Sequence, residues 1–371
     1  MSDFKFRNLT ILIISPEPWG DSFVSKHHYA RLLARLGNTV VFLSSDGSTC
    51  QLYKTGIENL YRATYKPFFR GIGYFPSFLR RSFQKRKLKP LEKRLGKAFD
   101  VVWSFDSSVF YDLDSLGKDR IKIAHLVDIS ESFKVVEMAL SADLCLGISD
   151  QVVDRFIRHN PETYKVRHGY SPVAPTPLAD PLPGENKVKA LYVGNLSRDI
   201  IDWETIGQTI HQNPDVDFLF MGPEGDNLGS GDKPAGAKLS VMAEDNFYKL
   251  PPVPSEQIMS FLSQADILMV VYVQDDPVHV ANPHKMLEYL ASGKPIVSTH
   301  AGEYAHLQDL IFMTDTNGQY ADLFTSVVRD LRRHSAEERM KQRIDYAMSQ
   351  TYEDKLNEIE SHIGHVLSDK K

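Results

Sequence analysis

Short apolar runs alternate with segments of helical periodicity along almost the whole chain, and this alternation limits the possible folds more than any other feature. Strands separated by helices form parallel sheets that carry helices on both faces. The pattern therefore predicts an α/β fold with two Rossmann-like domains. The apolar runs that predict strands are residues 9–15, 39–44, 100–104, 121–127, 142–148 and 164–168 in the first half, and 188–193, 218–221, 247–250, 266–272 and 295–299 in the second.

The length of 371 residues also suggests two domains. A proline-rich segment divides the strand-forming regions and has the composition of a linker. We therefore predict an N-terminal domain at residues 1–172, a linker at 173–187 and a C-terminal domain at 188–350. The first strand and helix lack a Gly-x-Gly-x-x-Gly fingerprint, so a dinucleotide cofactor is not expected.

The amino-acid composition narrows the possible classes of protein further. The net charge of −5 argues against a general binder of polyanions. Cys50 and Cys145 lie far apart and lack metal-ligand spacing, which favours a reducing cytoplasm and no disulfide. No apolar run approaches the ~18 residues that a membrane-spanning helix needs. A cytoplasmic location without a spanning helix is the resulting expectation.

The segment at residues 282–299 carries the strongest functional signal. Asn282 and Pro283 suit a helix start, and the Gly293-Lys294-Pro295 turn stops that helix before a buried strand. Lys285 and Glu288 lie three residues apart and share a face. An ammonium group suits a diphosphate, and a carboxylate can accept two hydrogen bonds from a ribose diol. The spacing alone also allows an ordinary surface Lys–Glu pair.

The pattern Pro-x-Lys-x-x-Glu-Tyr-Leu-Ala-x-Gly-Lys-Pro-x-Val resembles the donor-binding segment of GT-B glycosyltransferases. The resemblance implies two Rossmann-like domains facing a cleft, with residues 351–371 as a final helix that packs back on the first domain. It implies that Lys285 faces the donor phosphates and that Glu288 binds the ribose. The other donor-site residues that it implies are Gly194, Arg198, Tyr272 and His284.

Two positions depart from the family pattern. Asn195 stands where relatives often carry Arg, and Val280 stands where many carry a second Glu that contacts the sugar. The absence of that Glu pair speaks against a direct transfer of the retaining mechanism associated with it. A retaining transferase, a nucleotide-sugar epimerase and a catalytically inactive scaffold therefore remain alternatives.

Asp128 is the predicted general base. It follows the strand at residues 121–127, and ligands of open α/β sheets bind at the carboxyl ends of strands. The surrounding segment, Val127-Asp128-Ile129-Ser130-Glu131-Ser132-Phe133, is similar to a segment of bacterial polysaccharide glycosyltransferases, including an inverting glucuronosyltransferase whose matching Asp is the base. Alternatively, Asp128 caps a helix. His125 is the second candidate, although it is expected to point into the sheet, and Glu131 is a possible helper.

Residues 54–97 contain thirteen Lys or Arg against two Glu, interleaved with aromatic side chains. Such a basic and aromatic segment suits an anionic membrane surface. A solvated helix face above core aromatics is the alternative. No nucleic-acid-binding motif accompanies the charge, so no nucleic-acid partner is expected.

The resulting prediction is a glycosyltransferase that moves a hexosyl or uronosyl group from a nucleoside diphosphate sugar to a lipid-linked or polysaccharide acceptor. UDP is favoured over GDP, inversion with Asp128 is favoured over retention, and neither a metal nor a cofactor is expected. The enzyme would work in the cytoplasm, peripherally on the inner face of the membrane.

Overall fold

The computed structural model describes residues 4–20, 23–45, 49–65, 75–117, 119–127, 133–224, 234–274, 283 and 285–369. The chain forms two compact units. Unit 1 consists of Met1–Gly169 and Tyr352–Lys371, and unit 2 consists of Tyr170–Thr351. Residues 173–187 therefore fall inside unit 2. Among the described residues, no helix combines the length and the apolar composition that crossing a bilayer requires.

Unit 1 is built on a twisted sheet in the order β3-β4-β2-β1-β5-β6-β7-β8. The strands pair in parallel except for β3, which lies antiparallel to β4 at the edge. The strands are β1 (Thr10–Ile14), β2 (Thr39–Ser44), β3 (Gln51–Lys54), β4 (Leu60–Thr64), β5 (Val101–Ser104), β6 (Ile121–Leu126), β7 (Leu144–Gly147) and β8 (Thr163–Lys165). The helices are α1 (Ser25–Arg35), α2 (Ser77–Leu95), α3 (Phe133–Ser141), α4 (Asp150–Ile157) and, at the C-terminus, α12 (Tyr352–Asp369).

The central strand shows why the apolar runs predict these elements. Every residue of β1 is buried, with Ile11 and Ile13 in the core under α1 and α12, and Leu12 and Ile14 in the core on the opposite face. Strands covered on both faces carry continuous rather than alternating apolar residues. The C-terminal helix α12 contributes Ile359 to the first of these cores.

Unit 2 contains a parallel sheet in the order β11-β10-β9-β12-β13-β14. Its strands are β9 (Val188–Val193), β10 (Val216–Met221), β11 (Phe247–Leu250), β12 (Ile267–Val270), β13 (Ile296–Ser298) and β14 (Phe312–Met313). Its helices are α5 (Trp203–Gln212), α6 (Pro234–Val241), α7 (Ser255–Gln264), α8 (Lys285–Ala291), α9 (Tyr320–Arg329), α10 (Leu331–His334) and α11 (Glu337–Met348).

The strand order of unit 2 locates its topological switch point. The chain first builds the sheet outward from β9 through β10 to β11, and then returns to the other side of β9 with β12. Connections leave β9 and β12 in opposite directions, so the sheet has its topological switch point between these strands. Ligands of doubly wound sheets bind outside the carboxyl ends of the strands at such a point.

Candidate functional site

The loop after β9 lies at this switch point and is held by the loop after β10. The Gly194 N–H donates to the carbonyl of Met221 over 2.9 Å. Gly222 follows with a φ of 150°, and a Cβ on Gly222 would lie 1.9 Å from the Gly194 carbonyl oxygen. Only glycine allows this approach. The sequence predicts Gly194 as a site residue; Gly222 supports it and could have been noticed as the glycine that directly ends β10.

Lys285 projects from the first turn of α8 onto the same loop. A Cβ on Gly194 would lie 2.8 Å from the Lys285 Nζ, so the missing side chain of Gly194 makes room for the ammonium group. The Nζ lies 3.7 Å from the centroid of the Tyr192 ring and 5.1 Å from that of Tyr272. Both aromatic faces attract a cation. The ammonium group is therefore placed at the carboxyl end of β9.

The Lys285 ammonium group is buried, and it takes part in none of the described ion pairs. Its Nζ is inaccessible to solvent and, within the described residues, finds no hydrogen-bond acceptor in bonding geometry. Burial lowers the pKa of Lys285 from its ordinary value, while the Tyr272 phenol acts in the opposite direction. A buried cation in no described ion pair, stabilised by two aromatic rings and by the more distant charge of Glu288, is unusual outside a binding site. This environment suits an anionic ligand.

Glu288 lies one turn further along α8, and its side chain is half-buried. Burial raises its pKa to about 7, although the Lys285 charge opposes the rise. Among the described ion pairs, none joins Glu288 to Lys285. The surface Lys–Glu pair that the spacing allows is therefore not what the structure contains. A carboxyl group that titrates near neutrality beside a buried ammonium is typical of a functional site.

Two hydrogen bonds hold the backbone of Tyr272 just after β12. Its N–H donates to the Thr299 Oγ1 over 3.0 Å, and its carbonyl accepts from the Asn317 Nδ2 over 2.8 Å. These contacts fix the ring that faces Lys285. Arg198 is exposed on the loop after β9, and its charge contributes to lowering the pKa of Lys285.

Two predicted site residues, Asp128 and His284, lie outside the described residues, as do Glu131 and Val280. His125, the second candidate for the base, is buried against Phe105, with ring centroids 4.7 Å apart. Burial lowers its pKa to about 3. Within the described ranges no side-chain cluster of three or more His, Cys, Asp or Glu could hold a metal ion.

Tyr192 and Tyr289 belong to the site but were not predicted from the sequence. Tyr192 provides the ring over which the Lys285 ammonium lies, and its own pKa is well above the ordinary value because of burial. Tyr289 accepts a hydrogen bond from the Val193 N–H over 2.8 Å. A tyrosine inside an otherwise aliphatic segment is the signal that could have indicated both, because a buried phenol needs a polar partner.

Comparison with solved structures defines the class of fold. The chain aligns with sucrose-phosphate synthase from Thermosynechococcus elongatus at a TM-score of 0.72 and 14% identity, over 97% of this chain and 100% of that one. It aligns with Anabaena HepE in complex with UDP and glucose at 0.64 and 16%, over 97% and 100%. It aligns with the catalytic domain of Arabidopsis thaliana starch synthase IV bound to ADP and acarbose at 0.65 and 12%, over 97% and 100%.

The chain therefore has the GT-B fold, and the fold predicted from its sequence is confirmed. No family model matches the chain. One curated relative, TuaH of Bacillus subtilis (strain 168), is named as a candidate teichuronic acid biosynthesis glycosyltransferase and is 26% identical over 127 residues. That match covers 34% of this chain and 30% of TuaH, so the chain spans less than a third of that relative. The structural neighbours are GT-B glycosyltransferases and this relative is named as a candidate one, in agreement with the resemblance.

Proposed function

We propose that the protein is a glycosyltransferase that uses a nucleoside diphosphate sugar and moves a hexosyl or uronosyl group to a lipid-linked or polysaccharide acceptor. One observation carries the proposal: a buried ammonium group, Lys285, without a described carboxylate partner, lies against Gly194 at the topological switch point of unit 2. A diphosphate supplies the missing negative charge.

The surrounding residues suit the rest of a nucleotide. Glu288 accepts hydrogen bonds from the ribose 2′ and 3′ hydroxyls when it is ionised. Because Gly194 has no side chain, phosphate oxygens can approach its backbone. Arg198 adds a second positive charge on the same loop. Since Anabaena HepE is described in complex with UDP and glucose, UDP is favoured as the nucleotide.

Lys285 then acts on the leaving group. As the bond between the anomeric carbon and the β-phosphate oxygen breaks, the electron pair passes to the diphosphate. An ammonium group already in place stabilises that developing charge without reorganisation. Removing it therefore slows transfer as well as weakening donor binding.

Donor binding is tested by isothermal titration with UDP, GDP and ADP, followed by their sugar conjugates. Lys285→Met is expected to abolish UDP binding while the protein stays folded. Lys294→Met is the matched control, because Lys294 is also half-buried with a pKa lowered by burial but lies beyond the end of α8. If neither the wild type nor any variant binds a nucleotide, the inactive-scaffold alternative replaces the proposal.

For the acceptor step we propose inversion with Asp128 as general base, on the resemblance of its segment to inverting enzymes. The acceptor hydroxyl oxygen attacks the anomeric carbon, and its proton passes to the carboxylate. Asp128→Asn should keep UDP affinity and lose transfer, and NMR of the product should show the opposite anomer. A product with the donor's anomeric configuration would assign a retaining mechanism. Isomerisation of the sugar nucleotide without an acceptor would assign an epimerase.

A second proposal concerns the site of action, the inner face of the membrane. Helix α2 presents an outer face whose basic side chains are exposed and, in the described part of the chain, unpaired: Lys85, Arg86, Lys89 and Lys93. Phe78 at the start of this face is 68% exposed. A cationic stripe led by an exposed aromatic ring suits an anionic bilayer, where a lipid-linked acceptor is found.

The membrane proposal is tested by co-sedimentation with vesicles of neutral or anionic phospholipid. A triple variant with Lys85, Lys89 and Lys93 changed to Gln should bind anionic vesicles about a hundredfold more weakly, at ~1 kcal/mol for each basic group. The control variant replaces the exposed Arg332 and Arg333 of unit 2 with Gln and should bind like the wild type. Equal binding of the wild type to both kinds of vesicle would leave α2 as a solvated face.

A further inference from the structure

The hydrogen-bonded pairing between β9 and β12 stops before either strand ends. The paired residues are Ala190 with Ile267 and Leu191 with Leu268, and no further pair joins the two strands in the described register. On its other side β9 stays paired with β10 through Val193. Tyr192 and Val193 therefore have no partner on β12 in the described register, and they directly precede Gly194 at the topological switch point.

The hydroxyl of Tyr289 accepts the hydrogen bond that the next residue of β9 would otherwise make to β12. The Val193 N–H, which would otherwise face β12, donates to the Tyr289 oxygen over 2.8 Å. Tyr289 is fully buried, and burial holds its pKa well above the ordinary value, so the group is a neutral phenol. A buried backbone N–H needs an acceptor. Here a side chain from α8 supplies it in place of the strand.

Tyr289 and Lys285 lie four residues apart and so share one face of α8. From that face Lys285 contacts Gly194, and Tyr289 binds the preceding residue, Val193. Two consecutive turns of one helix thus contact Val193, the last residue of β9, and Gly194, the first residue after it. The hydroxyl sets how far α8 stands from the strand, and the ammonium position depends on that distance.

We propose that Tyr289 is a positioning residue whose hydroxyl keeps β9 and β12 apart at their carboxyl ends and holds Gly194 opposite Lys285. Its consequence for binding rests on the proposed nucleotide function. A phenylalanine would fill the same space but leave the Val193 N–H unpaired. The strand would then shift towards an acceptor, and the phosphate-binding geometry would shift with it.

A matched control separates positioning from simple stability. Tyr320 is also fully buried beside the same sheet, and its hydroxyl donates to the Val297 carbonyl on β13 over 3.1 Å, away from the switch point. Tyr289→Phe and Tyr320→Phe each remove one hydroxyl from one backbone hydrogen bond. Both should lower the melting temperature by comparable amounts, whereas only the first should alter the backbone at the switch point.

The test combines residue-resolved amide exchange with UDP titration on the full chain. In the ligand-free wild type the Val193 amide should be protected like that of Leu191, although no strand pairs with it on that side. Tyr289→Phe should speed its exchange and weaken UDP binding, each by about tenfold. Tyr320→Phe should leave both within about twofold.

An unprotected Val193 amide in the wild type would overturn the proposal before any variant is made. Equal losses of UDP affinity in the two variants would overturn it as well, because both would then reflect general destabilisation. If the wild type binds no nucleotide, the proposed function fails. The exchange of the Val193 amide still tests the role of Tyr289 in that case.

Discussion

Replacing Glu288 by glutamine should make the ligand-free protein more stable at alkaline pH and worse at binding its nucleotide. Desolvation raises the pKa of this carboxyl to about 7 from the ordinary 4.5. The folded site therefore favours the protonated form. The stability contributed by this group is fully present below pH 4.5 and is lost as the pH rises through about 7.

The size of the effect follows from the shift. Each pKa unit corresponds to ~1.4 kcal/mol, so ionising Glu288 in the folded state costs about 3 kcal/mol at pH 8 and above. The side chain is half-buried, so solvent reduces this figure. Glutamine has nearly the same shape and no charge. We expect Glu288→Gln to gain ~1–2 kcal/mol at pH 8 and close to nothing at pH 4.5.

Calorimetry of the full chain at pH 5, 6, 7 and 8 measures this difference. For a unit of this size ~1–2 kcal/mol raises the melting temperature by about 2–8 °C. The ribose hydroxyls donate to the ionised carboxylate, so wild-type UDP binding should release a proton below pH 7 and weaken as the pH falls. Titration in buffers of different ionisation enthalpy counts that proton. The glutamine variant should release none and bind UDP weakly at every pH.

A stability difference between Glu288→Gln and the wild type that does not change with pH would refute this reasoning. It would mean that the carboxyl is not desolvated in the folded state. Glu303→Gln provides the comparison, because Glu303 is a buried acid elsewhere in unit 2. Its substitution should not change proton release on UDP binding.

Three further substitutions have defined outcomes. Gly222→Ala forces a Cβ against the Gly194 carbonyl and should cost ~2–4 kcal/mol in thermal unfolding, whereas Gly236→Ala, which meets no atom within 4 Å, should be neutral or stabilising. Arg343→Met removes a fully buried guanidinium that donates to three backbone carbonyls and should cost ~3 kcal/mol or more in the same assay. His125→Phe should keep transfer activity and stability, because neither ring nitrogen is hydrogen-bonded within the described residues; loss of transfer would make His125 the base.

The sequence predicts most strands because strands of a parallel sheet are buried on both faces and therefore consist of consecutive apolar residues. It fails where that signal is weak. Strand β4 falls in the region predicted as a basic and aromatic surface segment, and β3 ends at the first residue of that region and is mostly exposed. An edge strand paired on one side needs few apolar residues, and its polar neighbours hide it. Strand β14 has two residues, too few for any periodicity.

The candidate site likewise has features that a local sequence pattern predicts and features that it does not. That Lys285 and Glu288 are neighbours could be predicted because they lie on one short helix, where spacing fixes which side chains share a face. Gly222, Tyr192 and Tyr289 act on residues that are distant in the chain, and no local pattern reports such distances. Tyr289 and Val193, for example, are 96 positions apart. Only folding of the sheet brings the Tyr289 phenol next to β9 at the point where β9 is no longer paired with β12.

The two charged side chains of α8 together restrict the ligand more than either does alone. Burial works against both: it lowers the pKa of Lys285 and raises that of Glu288. A free phosphate would stabilise the ammonium group and disfavour the nearby carboxylate. A metal ion would do the reverse. A molecule that carries an anion at one end and a pair of hydroxyl donors one helical turn away stabilises both charged forms at once. The proposed ligand, a nucleoside diphosphate, has that arrangement, so the helix spacing of Lys285 and Glu288 supports it over a free phosphate or a metal ion.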